Sequence, residues 1–286
     1  MDLSIIIVSW NVQDKLKENL KALYKSQGDF SFEIIVVDNN SADKTAEMIK
    51  NEFPQVKIIA NSNNLGFAKA NNQALKIAQG NFILLLNPDM QVNSFTLFNM
   101  LNWMSINQRA AVASCKLLDK DNGTIKHVRR FPSFFDQLAI ALKLPHFFQG
   151  ILKNYILEDF DYEQASVVDS IRGGFMMIRK NVVDKVGLFD ESFFLWFEEV
   201  DFCRRVKKAN MQVWYTPAAV CVDYVGQSFA QVETLTKQKY FRDSMLKYFR
   251  KWYPFWQHWI LWCAWWFGLF FSWAAIKNKK NSKANT

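Results

Sequence analysis

The first ninety residues repeat one pattern: a short apolar run, a polar turn, then apolar residues at helical spacing. Leu3–Val8 is such a run, ending at Ser9-Trp10-Asn11, and Leu16, Leu20 and Leu23 follow among charged residues. The spacing predicts a strand and then an amphipathic helix over Asp14–Ser26. Ile34–Val37 is a second run that enters Asp38-Asn39-Asn40-Ser41, where Ser41 or Asp43 can cap a helix reaching Asn51. Val56–Ala60 reads as a third strand, Asn61–Gly66 as a polar turn, Phe67–Ala78 as an alanine-rich helix and Phe82–Leu86 as a fourth strand. Pro88 cannot donate to a sheet ladder, so this strand must end at Asn87-Pro88, with Asp89 just beyond it. Continuous apolar strands alternating with helices predict an α/β fold whose parallel sheet is covered on both faces.

The pattern then loosens. A helix is expected at Phe95–Ile106, a strand at Ala111–Lys116, a turn at Asp119–Gly123 and an edge strand at Thr124–Arg130. Pro132 and Pro145 interrupt Phe131–Gln164, whose apolar residues keep no clean period. That stretch reads as an acceptor-side segment or as a plain surface excursion. Gly173–Ile178 is strand-like, Asn181–Val186 a short helix and Trp214–Val222 a last strand.

Phe255–Ile276 changes character: no residue in it carries a formal charge, and Arg250-Lys251 and Lys277, Lys279 and Lys280 flank it. The length suits a transmembrane helix. Yet Trp252, Trp256, Trp259, Trp262, Trp266 and Trp273 recur through it, and tryptophan prefers the headgroup level. A helix lying in the interface therefore competes with a spanning one, as does an aromatic helix packed on the domain or in a dimer. The expected organisation is a main domain over 1–236 and a basic, Trp-rich membrane-association segment over 237–286.

Composition sharpens this division. The 286 residues are 50% hydrophobic and 16% aromatic, enough for one large core with an appendage. A formal charge of +8 would suit a nucleic-acid partner if it were spread over the main domain. Instead, Lys and Arg from Lys237 onward face Asp243 alone, so the tail carries the excess and residues 1–236 are nearly balanced. That argues for an anionic membrane surface and against nucleic acid. Cys115, Cys203, Cys221 and Cys263 are scattered, so neither a disulfide framework nor a zinc site is expected, and a reduced cytosolic setting fits. No basic, cleavable leader precedes the first strand, so no secretory signal is expected.

Neither G-x-G-x-x-G nor G-x-x-x-x-G-K-[ST] occurs, which removes the usual phosphate cradles. The strand ends offer polar and acidic groups instead: Ser9 and Asn11, then Asp38, Asn40 and Ser41, then Asp89. Such carboxylates can accept from ribose hydroxyls or bind a hard cation, although Asp and Asn also end strands for turn reasons alone. Asn64–Asn72 can start a helix close to the sheet with its N-terminus toward an anion, and plain close packing would use the same alanines. The densest cluster is Leu188–Arg205, LFDESFFLWFEEVDFCRR. On a helix over Glu198–Lys208, Glu198, Asp201 and Arg205 share a face. Carboxylates among aromatics have the environment of a general base; a capped helix with an Asp201–Arg205 pair is the plainer reading.

Taken in order, SIIIVSWN, VVDNNSAD, NLGFAKANNQA, LLLNPDM, RGGFMMIRK and the acidic cluster resemble glycosyltransferase family 2 over about residues 3–230. More narrowly, they are similar to rhamnosyltransferase-type enzymes that build bacterial surface polysaccharides. The resemblance implies a GT-A fold (Rossmann-like, a mainly parallel sheet with helices on both faces), a nucleotide-diphosphate sugar donor, Mg2+ or Mn2+, and inversion at the anomeric carbon. Matched residue by residue, Ser9 and Asn11 fall in the loop lining the nucleotide pocket, and Asp38 matches the carboxylate on the base or ribose, beside Asn40 and Ser41. Asn64, Gly66 and Asn72 match the helix start over the nucleotide. Asp89 matches the last acid of the metal-binding D-x-D, with Asn87 in place of the first. Gly173 and Gly174, with Arg172 and Trp196, fall on the acceptor side. Glu198 and Glu199 match an E-D pair whose second acid is the base, here one methylene longer. Asp223 stands where the family often has a metal-side His, followed by Tyr224-Val225-Gly226-Gln227-Ser228.

The expected reaction moves a sugar, best matched by L-rhamnose from dTDP-rhamnose, onto a polyprenyl-diphosphate-linked glycan in cell-envelope synthesis. Arg129, Arg130 and Arg172 are candidate contacts for the acceptor diphosphate. The expected place is the cytoplasmic face of the plasma membrane, with self-association open. Alternatives are another UDP-, GDP- or dTDP-sugar, or a catalytically silent membrane scaffold of this fold. A nucleotidyltransferase would need a glycine- and basic-rich loop after the first strand, which Ser9–Lys15 lacks.

Overall fold

The computed structural model describes residues 1–224 and 233–268. Its first half follows the expected alternation: β1 (Leu3–Ser9), α1 (Gln13–Tyr24), β2 (Phe32–Asp38), α2 (Thr45–Glu52), β3 (Lys57–Ala60), α3 (Phe67–Leu75) and β4 (Phe82–Leu86). Then come β5 (Met90–Val92), α4 (Thr96–Ile106), β6 (Ala110–Leu118), α5 (Phe134–Ala141), β7 (Ser166–Val168) and β8 (Phe175–Arg179). The chain continues through α6 (Lys180–Val186), α7 (Glu198–Lys208), β9 (Gln212–Asp223) and α8 (Thr234–Trp252). A further helix runs from 255 to the end of the described residues at 268.

The sheet order is β3-β2-β1-β4-β8-β6-β9-β5, with β7 paired to β9. Alternate residues of each strand supply two core layers. Ile5, Ile7, Ile34 and Val36 pack with Leu16 and Leu20 of α1 and Met100 of α4. Ile6, Ile35 and Val37 pack on the other face with Ala70 and Ala74 of α3 and Phe202 of α7. Burying both faces is what the unbroken apolar strands required.

The expected parallel pairing holds for β3-β2-β1-β4 and for β6 with β9. β8 runs antiparallel to β4 and β6, and β5 and β7 run antiparallel to β9. The sheet is therefore mixed. The antiparallel pairs join strands distant in sequence, β4 with β8 and β5 with β9, so no local pattern marks their direction. Thr124–Arg130 is not a strand; it makes isolated bridges at Thr124 and Arg129. Within the illegible Phe131–Gln164 stretch, Ser133 and Asp136 form a reciprocal cap that starts α5.

α8 packs Met245, Tyr248 and Phe249 against Phe193 and Phe197, in a third apolar cluster shared with Ala141 of α5 and Leu261 and Trp265 of the 255–268 helix. That last helix leaves Phe255, Trp256, Trp259, Trp262, Trp266 and Phe267 exposed. No helix among the described residues is long and apolar enough to cross a membrane. The 269–286 part of the expected membrane segment, with Trp273, and the Val225–Ser228 continuation lie outside the described residues.

Candidate active site

The C-terminal ends of β1, β2 and β4 open into a cleft of about 1040 Å3. On one side lie the loops after β1 and β2. Parallel pairing sets Ser9 opposite Asp38, and the side chains beyond them lock together. Ser41 Oγ donates to Asp38 at 2.5 Å and accepts from the Asn11 N–H at 2.9 Å, while Asn11 Oδ1 accepts from Ala42 N–H at 2.6 Å. Asn11 and Asn40 hold positive φ of 54° and 63°, a conformation that asparagine tolerates better than most residues. Asp43 completes the knot by accepting from Gln13 N–H and from both the N–H and hydroxyl of Thr45, so one carboxylate ties the starts of α1 and α2.

From these loops Trp10 and Asn39 line the cleft; Ser9, Asn11, Asp38 and Ser41 are not part of its lining, and Asn40 is exposed. Asn39 donates to the Gly66 carbonyl at 3.2 Å and accepts from Asn61, which also bonds Gln73. The DNN run carried the signal, but strand register alone decides which asparagine turns inward.

Gly66 begins α3 at φ 81°, and a Cβ there would lie 2.3 Å from the Phe194 carbonyl oxygen. The Phe67 N–H donates to that same carbonyl at 2.8 Å. The first donor of α3 is therefore taken by the acidic–aromatic loop. Asn72 is corrected: it is buried and does not line the cleft. Its amide donates to Phe189 O and Glu191 and accepts from Phe189 N–H, so it fastens that loop to α3.

In the middle lies the Asn87-Pro88-Asp89 turn. Buried Asn19 of α1 donates to Asn87 O and Met90 O and clamps it, a role that nothing in the spacing of α1 signalled beyond a polar residue on its apolar face. Met90 pairs with Asp223 across β5 and β9, and Tyr224 N–H donates to Asp89 O at 3.1 Å, so Asp89 and Asp223 come from adjoining strands. Asp223 accepts from Arg172 at 3.1 Å.

Gly173 and Gly174 join this turn to the acidic pair. The Gly174 carbonyl accepts from Asn87 N–H, and a Cβ on Gly174 would meet Met90 at 2.7 Å and the Asn87 amide at 3.1 Å. A Cβ on Gly173 would sit between the Phe67 ring and Glu199 Cβ, 3.6 Å from the latter. The glycines thus let Glu199 approach the turn.

Glu198 and Glu199 open α7 behind two consecutive bulky residues at positive φ, Trp196 (63°) and Phe197 (68°). Such backbone strain costs about 1–3 kcal/mol per residue and persists only when packing over-determines it. Here α8 does so: Phe241 and Tyr248 pack on Phe197, Phe241 also meets Trp196, and Ser244 donates to Leu195 O. Asp201, fully buried, accepts from Arg205 and from Trp252 Nε1 and pairs with Lys251, fixing α7 to the end of α8. Glu198 is buried and Glu199 half-buried at the cleft wall, and each has a carboxylate oxygen without a partner. Burial, then the Glu199 charge, pushes Glu198 well above the carboxylate range. Burial raises Glu199 too, against the opposing pull of Arg172.

The far wall holds Arg129, His127 and Tyr155. Tyr155 comes from the stretch the sequence left illegible. Arg130, by contrast, is exposed and not part of the cleft wall. Thr236, Tyr240 and Phe241 of α8 close the rim.

The chain matches the model of glycosyl transferase family 2 over residues 4–187 and belongs to that family. It is 28% identical over 228 residues to the rhamnosyltransferase WbbL of Escherichia coli K12, covering 77% of this chain and 82% of that protein. It is 24% identical over 208 residues to the N-acetylglucosaminyl-diphospho-decaprenol L-rhamnosyltransferase of Mycobacterium tuberculosis, covering 68% and 67%. A third relative, 26% identical, is covered over 64% of its length. Among solved structures, the mannosyltransferase PcManGT of Pyrobaculum calidifontis, in complex with GDP-Man and Mn2+, superposes with a TM-score of 0.58 at 17% identity, over 87% of this chain and 64% of that one. That likeness shows the fold: GT-A, with a mixed sheet.

Proposed function

We propose that this family 2 glycosyltransferase inverts the anomeric carbon, with Glu199 as the base. The observation that carries the reading is the placement of Glu199 one glycine pair away from the Asp89 turn, in a single cleft. Glu199 accepts the proton of the acceptor hydroxyl as that oxygen attacks the anomeric carbon from the face opposite the nucleoside diphosphate. Its unpartnered oxygen and raised pKa suit a base that must be free to take a proton. Glu198 stays buried behind it and Trp196 borders the acceptor. The nucleoside lies over the loops after β1 and β2, where Ser9, Asn11, Asp38, Asn39 and Ser41 are gathered, with Asn64 and Gly66 opposite and Asn87 toward the phosphates.

The turn fits a hard divalent cation. Asp89 and Asp223 are carboxylates on adjoining strands, and Mg2+ is commonly held by one or two carboxylates plus substrate phosphates. Among the described residues no group of three or more His, Cys, Asp or Glu could hold an ion unaided, so the donor's own phosphates complete the set. Bound Mg2+ or Mn2+ would neutralise the leaving diphosphate. Asp223 would share its carboxylate with Arg172.

The rhamnosyltransferase relatives favour dTDP-rhamnose as donor, and the mycobacterial relative, named for a diphospho-decaprenol-linked sugar, favours a lipid-diphosphate-linked acceptor. A lipid acceptor accounts for the exposed aromatic ridge of 255–268, which we assign to the headgroup level of the cytoplasmic leaflet. The test is a panel of dTDP-, UDP- and GDP-sugars assayed with a lipid-linked acceptor, with Mg2+, with Mn2+ and with chelator. Transfer that survives both Glu199→Gln and Asp89→Ala would refute the mechanism. Trp259→Glu with Trp262→Glu should release the protein from anionic vesicles; unchanged sedimentation would refute the membrane assignment.

A further inference from the structure

The cleft wall beyond Glu199 carries charge and hydrogen-bonding capacity that the transfer chemistry does not use. Arg129 is placed there by a two-way bridge with Ser170: each residue's N–H donates to the other's carbonyl at 3.1 Å. Its guanidinium bonds only two main-chain carbonyls, Val128 O at 2.7 Å and Ile156 O at 3.5 Å, and among the described residues it has no ion pair. Arg172 follows two residues after Ser170 on the same wall, where it pairs with Asp223 and acts on Glu199, so of the two like charges it is Arg129 that has no ion pair among the described residues. Desolvated cations that lack counter-ions are costly, and an anionic ligand removes that cost.

A second, independent group points the same way. His127 lines the cleft at 0% exposure; its Nδ1 faces Ile125 O at 3.0 Å and its Nε2 has no partner. A ring that donates through Nδ1 keeps Nε2 as an acceptor. The wall therefore wants an anion and, beside it, a hydroxyl or amide N–H.

We propose that Arg129 and Arg172 bind the diphosphate of the acceptor while His127 Nε2 accepts from the first sugar attached to it. This rests on the transferase reading above and deepens it. A diphosphate of the donor would satisfy the same guanidinium groups. The acceptor is favoured because Arg129 and the nucleotide loops lie on opposite sides of the β4 turn, β1 and β2 flanking it on one side and the 170–174 segment on the other. From the arginines the wall runs on through apolar Ile140 of α5 and Phe241 of α8, toward the helices that carry the exposed aromatic ridge. That is a path for a prenyl chain.

Inorganic pyrophosphate, titrated calorimetrically into the full chain, tests the subsite without any transfer. Arg129→Gln should weaken it about tenfold, the effect of one lost charge-assisted pair, whereas Arg130→Gln should not. Affinity for dTDP, UDP or GDP should be unchanged in Arg129→Gln, and saturating nucleotide should leave pyrophosphate binding intact. An unaltered pyrophosphate affinity in Arg129→Gln, with native melting, would overturn the subsite. Competition by nucleotide would reassign it to the donor. In transfer assays, Arg129→Gln should raise the acceptor KM and spare the donor KM, and Arg129→Lys should restore only part of the loss because lysine lacks the planar fork. His127→Phe should raise the KM for a prenyl-diphosphate sugar but leave pyrophosphate binding alone; equal effects on both would overturn the sugar contact. Loss of transfer in Glu199→Gln with intact pyrophosphate binding separates this subsite from the catalytic proposal.

Discussion

The two sides of the cleft differ in how far the protein satisfies itself. On the nucleotide side, Asn11, Asp38, Ser41, Asp43, Asn39 and Asn61 bond one another or nearby backbone, so the loops are rigid before anything binds. On the acceptor side, Glu198, Glu199 and His127 each keep a buried atom without a partner, and Arg129 has no ion pair among the described residues. The first wall is largely self-bonded, with Ser9 Oγ its one buried exception among the residues named, whereas the other gathers several unsatisfied groups. The proposed chemistry and acceptor selection fall in the wall that the fold leaves less complete.

The largest expected break in this contrast is Glu199→Gln. It should lower kcat by about 10²–10⁴-fold, the usual worth of a general base, with melting temperature and nucleotide affinity near wild type. Loss of nucleotide binding instead would mean that the two walls are not separable. In the native enzyme, kcat should fall as pH drops through the raised pKa of Glu199, because the protonated acid cannot accept.

Gly66→Ala should come next, at roughly 1–3 kcal/mol of stability. It forces a side chain into a positive φ against the Phe194 carbonyl. Since that contact joins α3 to the acidic–aromatic loop, denaturant unfolding should show the loss and the acceptor KM should rise; a variant as stable as wild type would show that the loop can yield.

Asn72→Ala should cost a similar or slightly smaller amount, roughly 1–3 kcal/mol, by leaving the Phe189 N–H and carbonyl unpaired. Its nucleotide affinity should barely change, in line with its place outside the cleft. A large selective drop in nucleotide affinity would return Asn72 to the binding site.

The smallest effect, and the one of opposite sign, is Glu198→Gln. Burial and the Glu199 charge raise the folded pKa of Glu198, so its contribution to stability is present at acid pH and lost as pH rises through that folded value. The amide removes the penalty and should raise Tm at neutral pH by roughly 2–4 °C, equivalent to about 1 kcal/mol in a chain of this size. His127 acts in the other direction: burial holds its pKa down to about 4, so stability is lost as pH falls from the ordinary histidine range toward that value.

Legibility along the chain followed the range of the interactions involved. Period and punctuation are local, so the apolar runs, the Pro88 stop and the acidic–aromatic cluster marked β1, β2, β4, the Asp89 turn and the start of α7 directly. The family motifs added expected partners of those elements by resemblance, and the family itself is shown by the matching model.

Other features depended on residues far apart in sequence. Which of Asn39 and Asn40 turns inward is set by register with β1. That β8 runs antiparallel is set by its pairing with β4 and β6, both far from it in sequence. Tyr155 and α5 reach the cleft from a stretch without periodicity, while Asn19 clamps the Asp89 turn from α1, far upstream in the chain. α8 holds the strained Trp196–Phe197 backbone from nearly fifty residues downstream. Sequence by itself determined the strand–helix alternation of the first ninety residues and the family, because short-range patterning specifies backbone. Only the tertiary structure decided which groups are left unsatisfied, because burial and partnership are properties of what other segments bring to the same place.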